Sequence, residues 1–200
     1  MNIKNETTIF YNAISKQSFN DWFNNNTLLP VLKGFVKKLP QNPIILDLGC
    51  GTGGESKRLL DLGASVIGID LSEKSLEYAK TNVVGAEFFL MDIMDMNFEK
   101  GKFNGVLDAG TLFHFNVDDQ NKILATLLNY LKSSGIFLSF YPEGDFEGIQ
   151  EIEIENKKFN RYARFLSIKE WAEQVIKIGF LKYKILDFQF QHFKAIEFYK

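Results

Sequence analysis

Short apolar runs separated by amphipathic stretches recur along most of this chain. The segment Ile44–Leu48 is apolar apart from one aspartate, a pattern typical of a strand buried on both faces of a sheet. Between such runs, apolar residues recur at intervals of three and four, which predicts amphipathic helices. Strands are predicted at residues 44–48, 65–70, 86–90, 103–109 and 135–141, and helices at residues 53–62, 72–80, 116–131 and 167–179. This alternation predicts an α/β fold with a mostly parallel sheet and helices on both faces.

Three regions depart from the alternation. Residues 6–38 carry apolar residues at helical spacing, so they are expected to be helical until Pro40. Residues 142–165 contain alternating isoleucines followed by a polar pair, which predicts a small added hairpin. Residues 181–199 hold two strand-like stretches with almost no connector, and these should pair as an antiparallel hairpin. Because no long linker divides the chain, residues 1–200 are interpreted as a single domain.

Composition and charge narrow the classes of function. The 200 residues carry a net charge of -2, and their lysines and arginines are interspersed with acids, which disfavours tight binding of nucleic acid. The single cysteine, Cys50, cannot form an internal disulfide, which fits a reducing compartment. Neither a signal peptide nor a membrane-spanning run is apparent, so we expect a cytoplasmic protein without a membrane partner. With one cysteine and two distant histidines, we expect no metal site.

A glycine-rich turn, Asp47–Gly54, joins the first predicted strand to the helix that follows it. Glycine allows the backbone to turn sharply and to approach a ligand, and the helix N-terminus offers free N–H donors. The carboxyl ends of strands are where open α/β sheets bind ligands. Gly49, Gly51 and Gly54 also fit G-x-G-x-x-G, the pattern of dinucleotide-binding turns, which is weak by itself. The turn therefore predicts a nucleotide-like ligand without identifying it.

Acidic residues close three successive predicted strands: Asp47, Asp70 and Asp92. An acid at Asp47 would repel a dinucleotide pyrophosphate and attract a cation. An acid at Asp70 suits ribose hydroxyls, and one at Asp92 suits an exocyclic amine such as that of adenine. The alternative is structural, with Asp47 and Asp70 capping local turns and Asp92 lying in a loop. Together the acids favour a ligand that carries an ammonium group, a ribose and an adenine.

The turn and the second strand resemble the class I S-adenosylmethionine-dependent methyltransferases, over at least residues 40–140. Asp47–Gly53 is similar to the first motif of that family, and Val66–Ser72 to its second strand with the ribose-binding acid. The resemblance implies a Rossmann-like three-layer sandwich with a seven-stranded, mostly parallel sheet, and S-adenosylmethionine as the cofactor. The residues that it assigns to cofactor binding are Asp47, Gly49, Cys50, Gly51, Gly53, Asp70, Leu71, Asp92, Ile93, Asp108 and Ala109.

Within that resemblance, Asp47 and the Gly49 backbone would hold the methionine end of the cofactor. Leu71 would pack on the adenine, and Asp108 with Ala109 would lie beside the sulfonium. Asp108 departs from the small residue usual at its position, so it could instead be a buried acid bonded to neighbouring N–H groups.

Residues 103–114 and 140–144 are similar to small bacterial methyltransferase-domain proteins. The resemblance implies that residues 1–40 cover the cofactor as a lid, and residues 142–165 are interpreted as an insertion on the substrate side. The aromatic residues of the lid region are also consistent with simple packing on the sheet.

His114 and Tyr141 are the catalytic candidates. His114 follows the fourth strand and titrates near neutrality, so it could act as a base, although a hydrogen bond to the loop backbone is the alternative. Tyr141 follows the fifth strand and could orient a substrate or belong to a surface loop. Arg161 and Arg164 could pair with an anionic substrate or could be solvated charges. Methyl transfer from a sulfonium needs mainly alignment, so the absence of a catalytic motif does not argue against an enzyme.

The preferred hypothesis is therefore a methyltransferase that acts on a small-molecule O, N or S acceptor. A nicotinamide- or flavin-dependent oxidoreductase could use the same turn. A non-catalytic cofactor-binding domain is the third hypothesis. An RNA or protein methyltransferase is disfavoured by the acidic charge balance. The sequence does not indicate an oligomeric state.

Overall fold

The computed structural model describes residues 3–200, with side chains from residue 5 onward. The helices are α1 (Ile3–Trp22), α2 (Leu29–Val36), α3 (Gly54–Asp61), α4 (Glu73–Asn82), α5 (Val117–Tyr130) and α6 (Ile168–Ile178). The strands are β1 (Ile44–Leu48), β2 (Ser65–Asp70), β3 (Glu87–Leu90), β4 (Phe103–Asp108), β5 (Leu131–Pro142), β6 (Phe146–Ile154), β7 (Lys157–Phe165), β8 (Lys182–Phe190) and β9 (Phe193–Tyr199). Short 3-10 turns, Ile93–Asp95 and Leu112–His114, follow β3 and β4.

Seven of these strands form one sheet in the order β3-β2-β1-β4-β5-β9-β8. Strands β1 to β5 run parallel, whereas β9 is antiparallel to both β5 and β8. The predicted α/β fold, with a mostly parallel sheet and an antiparallel hairpin at the C-terminal end, is confirmed. The chain passes from β1 outward to β3 and then returns to β4 on the other side of β1. This reversal places the carboxyl ends of β1 and β4 at the point where such sheets bind ligands.

The sheet is buried on both faces, which accounts for the continuous apolar runs in its strands. Leu46 of β1 packs in a core that includes Trp171 of α6. The neighbouring Ile45 points to the other face, where it packs with Phe35 of α2. All four side chains are fully buried. Burying a side chain of this size contributes about 1.5–3 kcal/mol, so the helices on both faces fix the position of β1 and of the turn that follows it.

The hairpin β6–β7 lies where the alternating isoleucines predict it, as a separate two-stranded sheet. Its turn residues Glu155 and Asn156 have φ angles of 49° and 61°, as in the tight turns that match the twist of a hairpin. Ala163 of β7 is fully buried in the core beside α6. The hairpin is therefore docked against the body of the protein.

The helical region near the N-terminus is interrupted, although the sequence pattern predicts helix throughout residues 6–38. Helix α1 ends at Trp22, and α2 begins at Leu29 with Pro30 in its first turn. Between them the Asn25 side chain accepts a hydrogen bond from the backbone N–H of Thr27, at 2.9 Å. Asparagine competes with the helix for backbone groups in this way, which explains the break. Among residues 3–200, no helix combines the length and apolarity that a membrane crossing requires.

Candidate functional site

The glycine turn after β1 adopts a backbone that side chains would obstruct. Gly49 and Gly51 have φ angles of 60° and 52°. A Cβ atom at Gly49 would lie 2.2 Å from the Thr111 hydroxyl oxygen, and no atom beyond the adjacent residues lies within 4 Å of a Cβ at Gly51. Gly49 is therefore required by close packing as well as by its φ angle, whereas Gly51 is required by its φ angle alone.

A cavity of about 790 Å³ opens at this turn. It lies at the carboxyl ends of β1, β2 and β4, and residues of α1 and of the β8–β9 turn contribute to its walls. The sequence-predicted site residues that line it are Asp47, Gly49, Cys50, Gly51, Asp70, Leu71, Asp92, Ile93, Ala109 and His114. The structure thus brings together in one cavity most of the residues that the sequence pattern selected.

Two of the proposed cofactor residues lie outside the cavity lining. A Cβ at Gly53 would meet Ala79 and Val83 at 3.0 Å, so this glycine serves the packing of the turn against α4 and the residue after it. Asp108 is fully buried and accepts hydrogen bonds from the Thr111 N–H at 2.8 Å and from the Ser139 hydroxyl at 2.8 Å. Asp108 therefore organises the loop after β4, in line with its alternative interpretation as a buried acid.

Tyr141 also lies outside the lining, because it is buried beneath the β6–β7 hairpin. Its ring stacks on Trp171 with centroids 4.2 Å apart. Its hydroxyl donates to the Arg164 carbonyl at 2.7 Å and accepts from Gln120 Nε2 at 3.2 Å. Arg164 in turn contacts Glu147 at 3.1 Å. These contacts give Tyr141 and Arg164 a structural role in holding the hairpin.

The cavity lining contains acidic side chains but no lysine or arginine among the described residues. Five acids line it: Asp47, Glu55, Asp70, Asp92 and Asp119. A concave site with acids and low-dielectric walls attracts cations and repels phosphates. The lining therefore favours a positively charged ligand.

Asp47 is the most deeply buried of these acids. Its side chain accepts a hydrogen bond from the Ser56 hydroxyl at 2.6 Å, and the residue is 1% exposed. Burial, with a smaller effect from the nearby Glu55 and Asp70, outweighs the Ser56 hydrogen bond and raises the pKa of Asp47 to about 8. A cation bound beside this carboxyl would remove much of that penalty.

Asp70 links the end of β2 to the glycine turn. One carboxylate oxygen accepts from the Gly51 N–H at 2.9 Å, and the other accepts from the Ser72 N–H at 2.7 Å. Burial raises the pKa of Asp70, and these backbone hydrogen bonds oppose the rise. Each carboxylate oxygen can accept a further bond, so this fixed carboxylate can also receive ligand hydroxyls.

Asp92 follows β3 and caps the 3-10 turn Ile93–Asp95, because its side chain accepts from the Met94 N–H at 2.9 Å. Ile93 is buried and contributes to the cavity wall. The cap fixes the orientation of the carboxylate at the rim of the cavity. The Asp92 carboxylate and the Ile93 side chain are thus adjacent. A planar base could place its polar edge on the first and its apolar face on the second.

His114 takes part in a hydrogen-bonded chain across the cavity wall. Its Nδ1 lies 2.9 Å from the Tyr162 carbonyl oxygen, and its Nε2 lies 2.6 Å from the Tyr11 hydroxyl. Burial, with a smaller effect from the nearby Arg161, outweighs the hydrogen bond to Tyr162 and lowers the pKa of His114 to about 3. The ring is therefore neutral at pH 7. Because a carbonyl can only accept, Nδ1 carries the proton, and Nε2 accepts the proton of Tyr11.

Several lining residues escaped the sequence analysis. Tyr11 is one of the aromatic residues of the lid region, which are also consistent with simple packing, and Gln191 and Phe193 at the β8–β9 turn belong to no motif. Trp22 of α1 meets Phe190 of β8 edge to face, with centroids 5.6 Å apart. The residues of the β8–β9 turn enter the cavity because β9 pairs with β5, a long-range contact that a local pattern does not encode. Across the described residues, no group of three or more His, Cys, Asp or Glu could hold a metal ion.

Comparison with known proteins gives a consistent result. Residues 45–135 match the family described as "Methyltransferase domain". The YqeM protein of Bacillus subtilis, provisionally named a methyltransferase, is 37% identical over 120 residues, which cover 56% of this chain and 44% of that protein. The malonyl-[acyl-carrier protein] O-methyltransferase of Halalkalibacterium halodurans is 31% identical over 141 residues, which cover 64% and 52%. The chain thus spans about half the length of the curated relatives it matches.

Solved structures extend the likeness to nearly the whole chain. The 1,6-didemethyltoxoflavin-N1-methyltransferase of Burkholderia thailandensis superposes with a TM-score of 0.76 at 19% identity, covering 98% of this chain and 88% of that one. That crystal contains 1,6-didemethyltoxoflavin and S-adenosylhomocysteine. At this level of identity, the likeness concerns the fold.

Proposed function

We propose that this chain, which belongs to the class I S-adenosylmethionine-dependent methyltransferases, binds S-adenosylmethionine and transfers its methyl group to a small-molecule acceptor. The observation that carries the proposal is the cavity at the glycine turn, with five acids in its lining and no lysine or arginine among its described lining residues. A dinucleotide with two phosphates would meet repulsion there, whereas a sulfonium with an ammonium group would be attracted.

The fit of the cofactor follows the order of the strands. Asp47 and the Gly49 backbone would hold the methionine end, where the buried carboxyl has no protein cation within ion-pair distance in the described chain. Asp70 would accept hydrogen bonds from the ribose hydroxyls. Leu71, Asp92 and Ile93 would contact the adenine, as the mixed polar and apolar rim allows. Cys50 and Gly51 would contribute backbone at the turn.

When bound, S-adenosylmethionine supplies a methyl group that is activated by the positive sulfur. The role left to the protein is to hold the acceptor in line with that group and to exclude water. Helix α1 and the β8–β9 turn wall the cavity with aromatic side chains, including Trp22, Phe190 and Phe193. Ala109, at the end of β4, leaves space beside Gly110 for the reacting groups. We infer that residues 1–40 and 142–165 complete the acceptor side.

A small acceptor is favoured over a macromolecule. The cavity lies between α1, the strand ends and the β8–β9 turn, and its volume is in the range of about 300–1,000 Å³ typical of small-molecule sites. One relative is named as an O-methyltransferase and one solved neighbour as an N-methyltransferase, so both atoms are reasonable candidates. The name of the first refers to an acyl-carrier protein, and a carrier-bound acceptor is the alternative that an acceptor panel would reveal.

The test is isothermal titration of S-adenosylmethionine, S-adenosylhomocysteine and NAD against the protein and against Asp70→Asn. We expect the parent to bind the first two ligands and the variant to bind both about 10–100-fold more weakly, as the loss of charged hydrogen bonds predicts. Asp187→Asn, at an exposed position on β8, is the matched control and should bind as the parent does. Binding of NAD without binding of S-adenosylhomocysteine would overturn the proposal.

A further inference from the structure

The hydrogen-bonded chain Arg161–Tyr11–His114 determines whether the cavity wall donates or accepts a hydrogen bond beside His114. Both nitrogens of His114 are occupied, one by the Tyr162 carbonyl and the other by the Tyr11 hydroxyl. His114 therefore has no free nitrogen with which to take a proton from an acceptor directly. Tyr11 lines the same cavity, and its hydroxyl is the group of this hydrogen-bonded chain to which a ligand can still bind.

The hydrogen-bond inventory of Tyr11 is restrictive. A phenol has one proton to donate, and that proton is given to His114 Nε2 at 2.6 Å. Arg161 Nη1 lies 3.5 Å from the same oxygen and donates toward it. Neither neighbour leaves Tyr11 a proton for the cavity, so the phenol can only accept from a ligand. A phenol that donates to an acceptor becomes a better acceptor itself, because the bonds polarise one another.

From this geometry we propose that Tyr11 receives the acceptor's own N–H or O–H group, so that the methyl acceptor is a neutral hydroxyl or amine and not a carboxylate. The proposal rests on the methyltransferase function proposed above. As the nucleophile gives its lone pair to the methyl carbon, the bond between that carbon and the donor sulfur breaks, and the N–H or O–H proton of the acceptor becomes more positive. That proton passes to water after the transfer. The hydrogen bond to Tyr11 therefore strengthens toward the transition state. Tyr11 is then a catalytic residue, and His114 is the residue that positions its proton.

A carboxylate acceptor is disfavoured by the same arrangement. A carboxylate has no proton to offer Tyr11, and it would face the acids of the cavity lining. Arg161 is the nearby cation that could attract it, but its guanidinium is not part of the lining. It lies 5.4 Å from the Phe10 ring centroid and 5.6 Å from that of Phe113, and its Nε donates to Gln150. Arg161 adds to the effect of burial, which lowers the pKa of His114.

Matched aromatic probes test the proposal on the protein loaded with S-adenosylhomocysteine. Phenol and aniline carry the N–H or O–H group, whereas anisole, N,N-dimethylaniline and benzoate do not. We expect phenol and aniline to bind about three- to tenfold more tightly than the other three, as one hydrogen bond predicts. Tyr11→Phe should remove the difference, and Tyr183→Phe, on the exposed strand β8, should keep it. Equal binding of all probes by the parent, preference for benzoate or no binding of phenol would overturn the proposal.

His114→Phe provides a readout that a merely structural residue would not give. Without Nε2 to accept it, the proton of Tyr11 is free to point into the cavity, so the preference should shift from phenol toward benzoate. An unchanged preference for phenol in the folded variant would contradict the positioning role. If the variant does not fold, nitrogen-15 NMR of the parent decides the matter. We expect a neutral ring protonated on Nδ1 between pH 6 and 8, and a proton on Nε2 would overturn the proposal.

The two proposals fail in different ways. Absence of S-adenosylhomocysteine binding would overturn the proposed function, and the aryl probes would then be titrated against the protein without it. Tyr11-dependent preference for phenol in that experiment would still support the hydrogen-bonding role of the Arg161–Tyr11–His114 chain. Cofactor binding without any Tyr11-dependent preference would support the proposed methyltransferase function and overturn the proposal that the acceptor is a neutral hydroxyl or amine.

Discussion

Asp47 shows how an acid in a cavity wall can destabilise the protein that carries it. A carboxyl that is 1% exposed and held by one hydroxyl is costly to ionise, and the neighbouring acids Glu55 and Asp70 increase that cost. A residue selected for stability alone would not be an acid at this position. A cation that occupied the cavity during function would offset the free-energy cost of ionising Asp47.

This leads to a prediction about pH and stability. The pKa of Asp47 is about 8 in the folded protein, against 3.8 for an aspartate in an unfolded chain. Between these values the folded protein binds the proton that the unfolded chain has lost, so its stability should fall as the pH rises from about 4 to 8. Asp47→Asn removes this contribution. Without cofactor, the variant should be about 1–3 kcal/mol more stable than the parent at pH 8 and nearly equal at pH 4.

The measurement is urea unfolding of both proteins at a series of pH values, with Asp187→Asn as the control. The control should follow the parent at every pH, because Asp187 is exposed. Asp47→Asn should also lose affinity for S-adenosylmethionine. A variant that is less stable than the parent at pH 8 would show that Asp47 is ionised and satisfied without a ligand.

At the residue scale, the sequence predicts the position of residues whose placement depends on chain neighbours. The turn glycines and the acids at the strand ends follow from local order, and Asp47, Gly49 and Asp70 do line one cavity. It failed where a role depends on distant partners. Tyr141 lies under the hairpin because Trp171, 30 residues away, stacks on it. A local sequence pattern does not predict the stacking of two residues so far apart in the chain.

At the scale of elements, Arg58 connects the glycine-turn helix to the N-terminal helix. Its guanidinium donates to the carbonyls of Trp22, Phe23 and Asn25 at the end of α1, while its Cα belongs to α3. Cations are favourable at a helix C-terminus, where the last carbonyls lack intrahelical partners; of these three, the Trp22 carbonyl also accepts from the Asn25 N–H at 3.0 Å. Arg58 thus links the cavity wall formed by α1 to α3, the helix that begins at the glycine turn.

Arg58→Met tests this link. The substitution keeps much of the apolar stem but removes the side-chain donor from the carbonyls of Trp22, Phe23 and Asn25, so α1 should open more often. We expect amide hydrogen exchange in α1 to rise about tenfold or more, while exchange in β1 and β4 changes little. Mass spectrometry of peptides from each element measures both. Lys57→Met, beside it and half-buried, is the control that should leave α1 protected.

Exchange that rises equally in α1 and in the central strands would contradict this assignment. It would mean that Arg58 supports the whole fold and not the attachment of one helix. The position of the α1–α2 break illustrates the same point about prediction. The apolar spacing of residues 6–38 indicates helix, but Asn25 interrupts it, and Arg58, which comes from a later part of the chain, donates to the carbonyls at the end of α1.

At the scale of the whole molecule, the cavity is assembled from segments far apart in sequence. Tyr11 of α1, Asp47 after β1, His114 after β4 and Phe193 of β9 all line it. The order of strands in the sheet was predicted only in outline, since alternation implies a parallel sheet but not which strand lies beside which. A ligand in this cavity therefore contacts parts of the fold that unfold together only in global unfolding.

That arrangement predicts a large and uniform stabilisation by the cofactor product. A ligand that binds only the folded state at 100 times its Kd contributes about 2.7 kcal/mol. For a chain of this size, that free energy corresponds to a rise in Tm of roughly 5–11 °C. We expect such a shift with S-adenosylhomocysteine in differential scanning calorimetry, together with reduced hydrogen exchange in α1 and at the β8–β9 turn. Asp70→Asn, at the same ligand concentration, should show a smaller shift. If the ligand raised Tm but left hydrogen exchange in α1 unchanged, it would bind outside this cavity.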